Sequence, residues 1–239
     1  GDYPIDHHHK KNPQAPQHLE FYAIPSYNIP LGALIPESTG GLIVAEKGIS
    51  VSNVVNGTTR LQPVTILLGQ AAGILAAQSV MAKTDPSKVP VRLVQQQLLQ
   101  HGAYLMPYID VPPTDPHFEA IQKAGASGVL KGTGIPYKWA NQTWFYPDSA
   151  VQAAAFAEDI KAFVHLNPNG TLLTIEAAIE ALYKSCKNFK QVPAASSTGS
   201  FAQFWQMIAT EWPTWGLGNW QPHRAITRRE MAVLLLNTL

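Results

Sequence analysis

The chain is poor in cysteine and in charge. Its 239 residues include one cysteine, Cys186, so no disulfide can form within it. That thiol fixes no redox compartment, because secreted bacterial proteins also lack disulfides. Lysine and arginine total 17, aspartate and glutamate 16, and 14% of residues are charged, for a formal net charge of +1. A nucleic-acid binder is far more basic than this, so no nucleic-acid partner is expected. A phosphate-cradling motif is missing too: no Gly-x-Gly-x-x-Gly lies between a predicted strand and a predicted helix. The nearest run, Gly132-Thr-Gly134-Ile-Pro-Tyr137, ends in Tyr and carries Pro136 where a helix should start. Metal ligation is not expected either. His7, His8 and His9 are consecutive, three neighbours cannot all face one ion, and no Cys or carboxylate pair accompanies them.

What is present belongs to a folded protein. Apolar residues make up 46%, while nineteen prolines and seventeen glycines predict many turns. The most distinctive stretch is Leu61 to Ala82, which carries no charged side chain. It reads as a helix with Pro63 in its first turn and Gln62 or Thr59 closing the end. Gly69 and Gly73 lie about one turn apart and leave a face without bulk. The helix start would offer the N–H groups of Val64, Thr65 and Ile66 to an anionic or carbonyl oxygen. A membrane span is rejected: Gln62, Gln70 and Gln78 recur along it, and neither end has an aromatic belt or a basic cluster. A buried core helix and a cofactor-facing helix both remain open on these grounds.

Residues 1 to 36 read as loop or short edge strand. Gly41 to Glu46 reads as a buried strand. Ile49 to Val55 alternates apolar and polar residues and runs into an Asn56-Gly57 turn. Strand, turn and helix in this order present a helix start to a ligand in α/β domains. Asp85-Pro86-Ser87 ends the long helix, and a second helix opens after Pro90 and closes at Gly102. The expected fold is an α+β or α/β fragment over 1–105, followed by a mostly α-helical region over 106–239.

Gly1-Asp-Tyr-Pro-Ile-Asp-His-His8, Tyr22-Ala-Ile-Pro25, Leu31-Gly-Ala-Leu-Ile-Pro36, Gly41-Leu-Ile-Val-Ala45, Thr59-Arg60-Leu-Gln-Pro63 and Gly69-Gln-Ala-Ala-Gly73 occur in a telling order. Together they resemble bacterial FAD-dependent oxidoreductases, in a group some of whose members are labelled xanthan lyase. The resemblance covers about residues 1 to 105. It implies the closing, C-terminal segment of a partial FAD-binding domain, with FAD as the cofactor of the full-length protein. By the same resemblance Arg60 lies beside the flavin or the substrate as a catalytic cation. Gln62, Pro63, Val64 and Thr65 form the helix start that hydrogen-bonds the flavin, and His7 and His9 line the substrate side. Because the dinucleotide fingerprint is absent, a missing N-terminal dinucleotide-binding portion is the expected partner, and this chain alone is expected not to hold FAD tightly. GDYPID reads as the interior of a domain, so the chain is expected to be cut from something longer. The substrate would be a small molecule or a carbohydrate, and the location periplasmic or extracellular.

Beyond Pro107, Tyr108-Ile-Asp-Val111 and Trp144-Phe-Tyr-Pro147-Asp resemble an S-layer homology repeat. Pro147, Ala150, Val151, Phe156 and Ala157 recur as Pro222, Ala225, Ile226, Met231 and Ala232, each displaced by 75 positions. Ile226-Thr-Arg-Arg-Glu230 carries a predicted capping box between Thr227 and Glu230. The resemblance implies a cell-wall or polysaccharide-binding module gripping polymer through Arg228 and Arg229. The plainer reading is a small helical domain attached to the flavoprotein. Trp205, Trp212, Trp215 and Trp220 fit either a sugar platform or an aromatic core. No Tyr, His and Arg set has the spacing that a polysaccharide lyase would need to extract a C5 proton.

Overall fold

The computed structural model describes residues 1, 3–6, 24–137, 141–161, 170–188 and 200–238. They form two compact units, 1–109 with 133–144 and 110–132 with 145–239. The described residues make a mixed α+β structure with eight α-helices and one two-stranded antiparallel sheet.

Unit 1 is built on three helices: α1 (Asn53–Thr59), α2 (Gln62–Met81) and α3 (Val91–Gln100). One stripe of α2 makes the core. Val64, Leu68 and Ala72 pack with Ala33, Leu34 and Ile49, and Leu75 packs with Val89 and Val94. These positions recur at helical spacing, so they share a face. The strands β1 (Thr133–Ile135) and β2 (Gln142–Trp144) pair antiparallel, Gly134 opposite Thr143. The hydroxyls of Ser26 and Thr143 hydrogen-bond, tying this hairpin to the N-terminal segment.

Two expected strands are not formed. Gly41 to Ala45 holds no strand, and Glu46–Gly48 is a 3₁₀ turn entered by Glu46 at φ 57°. The backbone flanking this turn reaches Ala33 and Leu34 through single bonds, Val44 N–H to Leu34 O (2.8 Å) and Ser50 N–H to Ala33 O (2.8 Å), with no ladder between them. The alternating Ile49–Val55 run becomes helix from Asn53, because Ser52 accepts from the Val55 amide and caps it. Asn56-Gly57 is therefore inside α1, not in a turn.

Unit 2 holds α4 (Phe118–Ser127), α5 (Ala153–Ile160), α6 (Ile175–Asn188), α7 (Phe201–Glu211) and α8 (Arg228–Thr238). Three short segments, each leading into a helix, close into a ring. Val151 N–H donates to Ile226 O, Ile226 N–H to Leu173 O, and Leu173 N–H to Val151 O, each at 2.9 Å. An outer ring repeats the pattern two residues on: Ala153 N–H to Thr171 O, Ile175 N–H to Arg224 O, and Arg228 N–H to Ser149 O, at 2.9–3.1 Å. The side chains of Val151, Leu173 and Ile226 are buried at the ring. Thus a third related element, Leu172 to Leu182 with α6, joins the two that the sequence displays.

Trp205, Trp212 and Trp220 of unit 2 pack together. Trp205 and Trp212 each meet Trp220 edge-on at 66°, and Trp205 meets Phe201 at 52°. Trp212 is buried and donates its indole N–H to Gly218 O at 2.7 Å. Tilted rings covering each other's faces make a core, not a flat platform for sugars.

Candidate functional site

The most specific sequence segment, Arg60 onward, sits at the junction of α1 and α2. Arg60 closes α1 in helical geometry, its N–H bonded to Asn56 O at 3.2 Å, and Leu61 turns extended before α2 begins. Leu61 gives α2 no side-chain cap. A helix start without a cap leaves backbone donors to be satisfied otherwise. Pro63 has no N–H, and the Thr65 N–H is already bonded to Leu61 O at 3.0 Å. The donors without intrahelical partners are therefore those of Gln62 and Val64. Ile66, expected among them, falls in the second turn because the helix begins at Gln62.

The side chains of the predicted set divide. Gln62 and Pro63 are exposed, while Val64 is buried in the core of unit 1. Thr65 Oγ1 donates to Gln62 O at 2.9 Å, so its hydroxyl serves the first turn. His7 and His9 lie outside the described residues. Among the described residues, a Cβ at Gly69 or Gly73 would meet nothing within 4 Å.

Arg60 is held. Its Nη2 donates to both the Oδ2 and the main-chain O of Asp6, each at 3.2 Å, with both side chains about one-third exposed. The Gly1-to-Asp6 segment is fixed in turn. The Gly1 nitrogen donates to Tyr27 O at 2.8 Å, the Tyr27 N–H donates to Gly1 O at 2.9 Å, and the Tyr27 hydroxyl hydrogen-bonds Thr58. Thr58 and Thr59 are buried, and Thr59 Oγ1 donates to Val55 O at 3.4 Å. Asn56, one turn before Arg60, has a buried Oδ1 with no hydrogen-bond partner among the described residues.

Residues 1–98 match the family model of FAD dependent oxidoreductases. No curated protein matches the chain, and no solved structure does. The matched portion is thus similar to a segment of flavin oxidoreductases, and FAD is the cofactor that this family implies in related full-length proteins. The site has the donor chemistry for a flavin's polar edge: a positioned arginine and two helix-start amides without intrahelical partners.

The arginines of unit 2 are committed internally. Arg229 Nη1 spans both Asp115 oxygens at 2.6 and 2.7 Å, and its Nε donates to Asp148 at 3.1 Å. Arg228 donates to Phe145 O and Lys131 O at 2.6 Å each and lies 4.6 Å over the Phe145 ring. The expected Thr227–Glu230 capping box is formed, with Glu230 N–H to Thr227 Oγ1 at 3.2 Å and Thr227 N–H to Glu230 Oε2 at 2.9 Å. Sequence reasoning missed that Arg224 also grips buried Glu230, at 2.6 and 2.9 Å. Burial alone pushes the Glu230 carboxyl up, but bonds from Arg224 and Thr227 outweigh it and hold it below the usual range. Asp115 is likewise pushed up by burial and held low overall by Arg229 and the His117 amide.

Proposed function

We propose that this chain supplies the flavin-facing arginine and helix start of an FAD-dependent oxidoreductase, completed by a dinucleotide-binding portion that carries the pyrophosphate fingerprint this sequence lacks. The observation that carries it is Arg60, fixed by Asp6 at the head of an uncapped helix inside the segment that matches the family. When bound, FAD supplies the hydride or electron transfer. Arg60 holds positive charge where negative charge develops at the flavin N1 and C2 carbonyl. Gln62 and Val64 offer amides at the same helix start, and His7 and His9 line the substrate side, with a small molecule or carbohydrate as substrate. FAD titration of the full-length protein and of its Arg60→Ala variant tests this. A weaker-binding variant supports the proposal, and equal affinity refutes it.

A second reading concerns unit 2 as a cell-wall or polysaccharide-binding, S-layer-like module, which would place the protein outside the cytoplasm. The ring of three segment-helix elements favours it. Pull-down on cell-wall polymer, with Arg228 and Arg229 changed to Ala singly and together, separates binding through these arginines from their internal role.

A further inference from the structure

We propose that Asp6 is a positioning residue that sets the reduction potential of the flavin by partly cancelling the charge of Arg60. The proposal rests on the flavin reading above and adds a control on that same site.

Between Gly48 and Ala82 the sequence holds one charged side chain, Arg60. The field at the junction of α1 and α2 is therefore set mainly by that cation and by the charge paired with it. Asp6 is that charge, its Oδ2 lying 3.2 Å from Arg60 Nη2. Both side chains are about one-third exposed, so the pair is open to a ligand. Among the described residues only Nη2 of Arg60 is engaged, which leaves Nε and Nη1 to donate elsewhere. An arginine serving only to anchor the N-terminal segment would add little. Gly1 and Tyr27 already exchange two bonds at 2.8 and 2.9 Å, and the Tyr27 hydroxyl hydrogen-bonds Thr58.

The electrostatics follow from this geometry. An oxidised flavin ring is neutral, whereas hydride uptake at N5 leaves negative charge along N1 and the C2 carbonyl. A cation beside that edge favours the reduced form and raises the potential, and an anion behind the cation opposes it. Arg60 with Asp6 makes a pair of near-zero net charge, so the reduced ring is stabilised less than by Arg60 alone. Asp6 therefore lowers the potential, and neutralising it raises the potential. A purely mechanical Asp6 gives the opposite sign: its replacement would loosen Arg60, withdraw the cation from the ring and lower the potential.

The test compares the midpoint potential of FAD bound to the full-length protein, by reductive titration against a reference dye, in wild type, Asp6→Asn, Arg60→Gln and the double variant. Asparagine keeps the shape and a side-chain acceptor, and the main-chain carbonyl at position 6 still accepts from Arg60. Asp6→Asn should raise the potential by about 30 mV, which for a two-electron couple is a tenfold shift in the ratio of reduced to oxidised FAD affinity. Arg60→Gln should lower it. Adding Asp6→Asn to Arg60→Gln should recover part of that loss, which positioning alone could not do. The rise should also shrink at high ionic strength, because the pair is partly exposed. The proposal is overturned if Asp6→Asn leaves the potential unchanged or lowers it. If Asp6→Asn fails to fold by circular dichroism, Asp6→Ser, also neutral and able to accept, decides by the same sign. A wild type that binds no FAD refutes the flavin reading and this proposal together, whereas a wild type that binds FAD at a potential indifferent to Asp6 refutes the proposal alone.

Discussion

Arg60 grips Asp6 twice through a single nitrogen, at its carboxylate and at its main-chain carbonyl, 3.2 Å each. One planar guanidinium is thereby fixed while its other nitrogens point elsewhere. Lysine keeps the charge but offers a point cation without the fork. Arg60→Lys in the full-length protein should therefore weaken FAD binding by about tenfold while leaving the unfolding midpoint within about 1 kcal/mol of wild type. Fluorescence titration and urea unfolding check the two halves separately.

Glu230 is buried, and three donors converge on it: Arg224 Nη1, Arg224 Nη2 and the Thr227 amide. Truncating it leaves the partly buried Arg224 guanidinium without its carboxylate partner. Glu230→Ala should cost about 3 kcal/mol of unit 2 stability. Urea unfolding followed by tryptophan fluorescence reads it, since Trp205, Trp212, Trp215 and Trp220 belong to that unit. A loss under about 0.5 kcal/mol would mean the pair contributes no more than an exposed one.

The same carboxylates set an acid limit. Glu230 lies below its ordinary 4.5 and Asp115 below its ordinary 3.8. A group whose pKa is depressed by folding contributes stability that is fully present above its unfolded value and is lost as pH falls through the folded one. Unit 2 should hold its urea midpoint from pH 7 down to about 5 and lose it progressively below about 4.5. In Glu230→Gln the acid slope should be shallower.

Gly73 lies in the middle of α2, and a Cβ there would meet none of the described residues within 4 Å. In the isolated chain Gly73→Ala should stabilise by up to about 1 kcal/mol through helix propensity. If the dinucleotide-binding portion covers this face in the full-length protein, Gly73→Leu should lower FAD content there while leaving the isolated chain folded. Equal FAD content would argue that nothing packs on Gly73.

The helices were legible where local signals and burial agree. Pro63 opening α2, Pro90 preceding α3 and the Thr227–Glu230 box of α8 all left their marks in the sequence. The failures have physical causes. Gly41 to Glu46 has strand composition, yet its backbone makes one bond to Leu34, from Val44, in place of a ladder. Asn53 to Thr59 is β-branched and carries Asn-Gly, yet the Ser52 cap and burial of Thr58 and Thr59 make it helix. The third ring element stayed hidden because Leu172-Leu-Thr-Ile175 lacks the Pro and Phe or Met landmarks of the other two, and the ring bonds are between main-chain atoms, which no side chain announces. Arg60 was legible by resemblance alone; its dependence on Asp6, and the orphaned Asn56 acceptor, are tertiary facts.

The central claim is that the Arg60–Thr65 segment completes a flavin site. The most direct measurement is the visible absorption spectrum of the purified full-length protein, before and after supplying FAD. The account predicts flavin bands near 370 and 450 nm, of order one FAD per chain, lost on denaturation with release of free FAD. A colourless protein that stays colourless with excess FAD would contradict it.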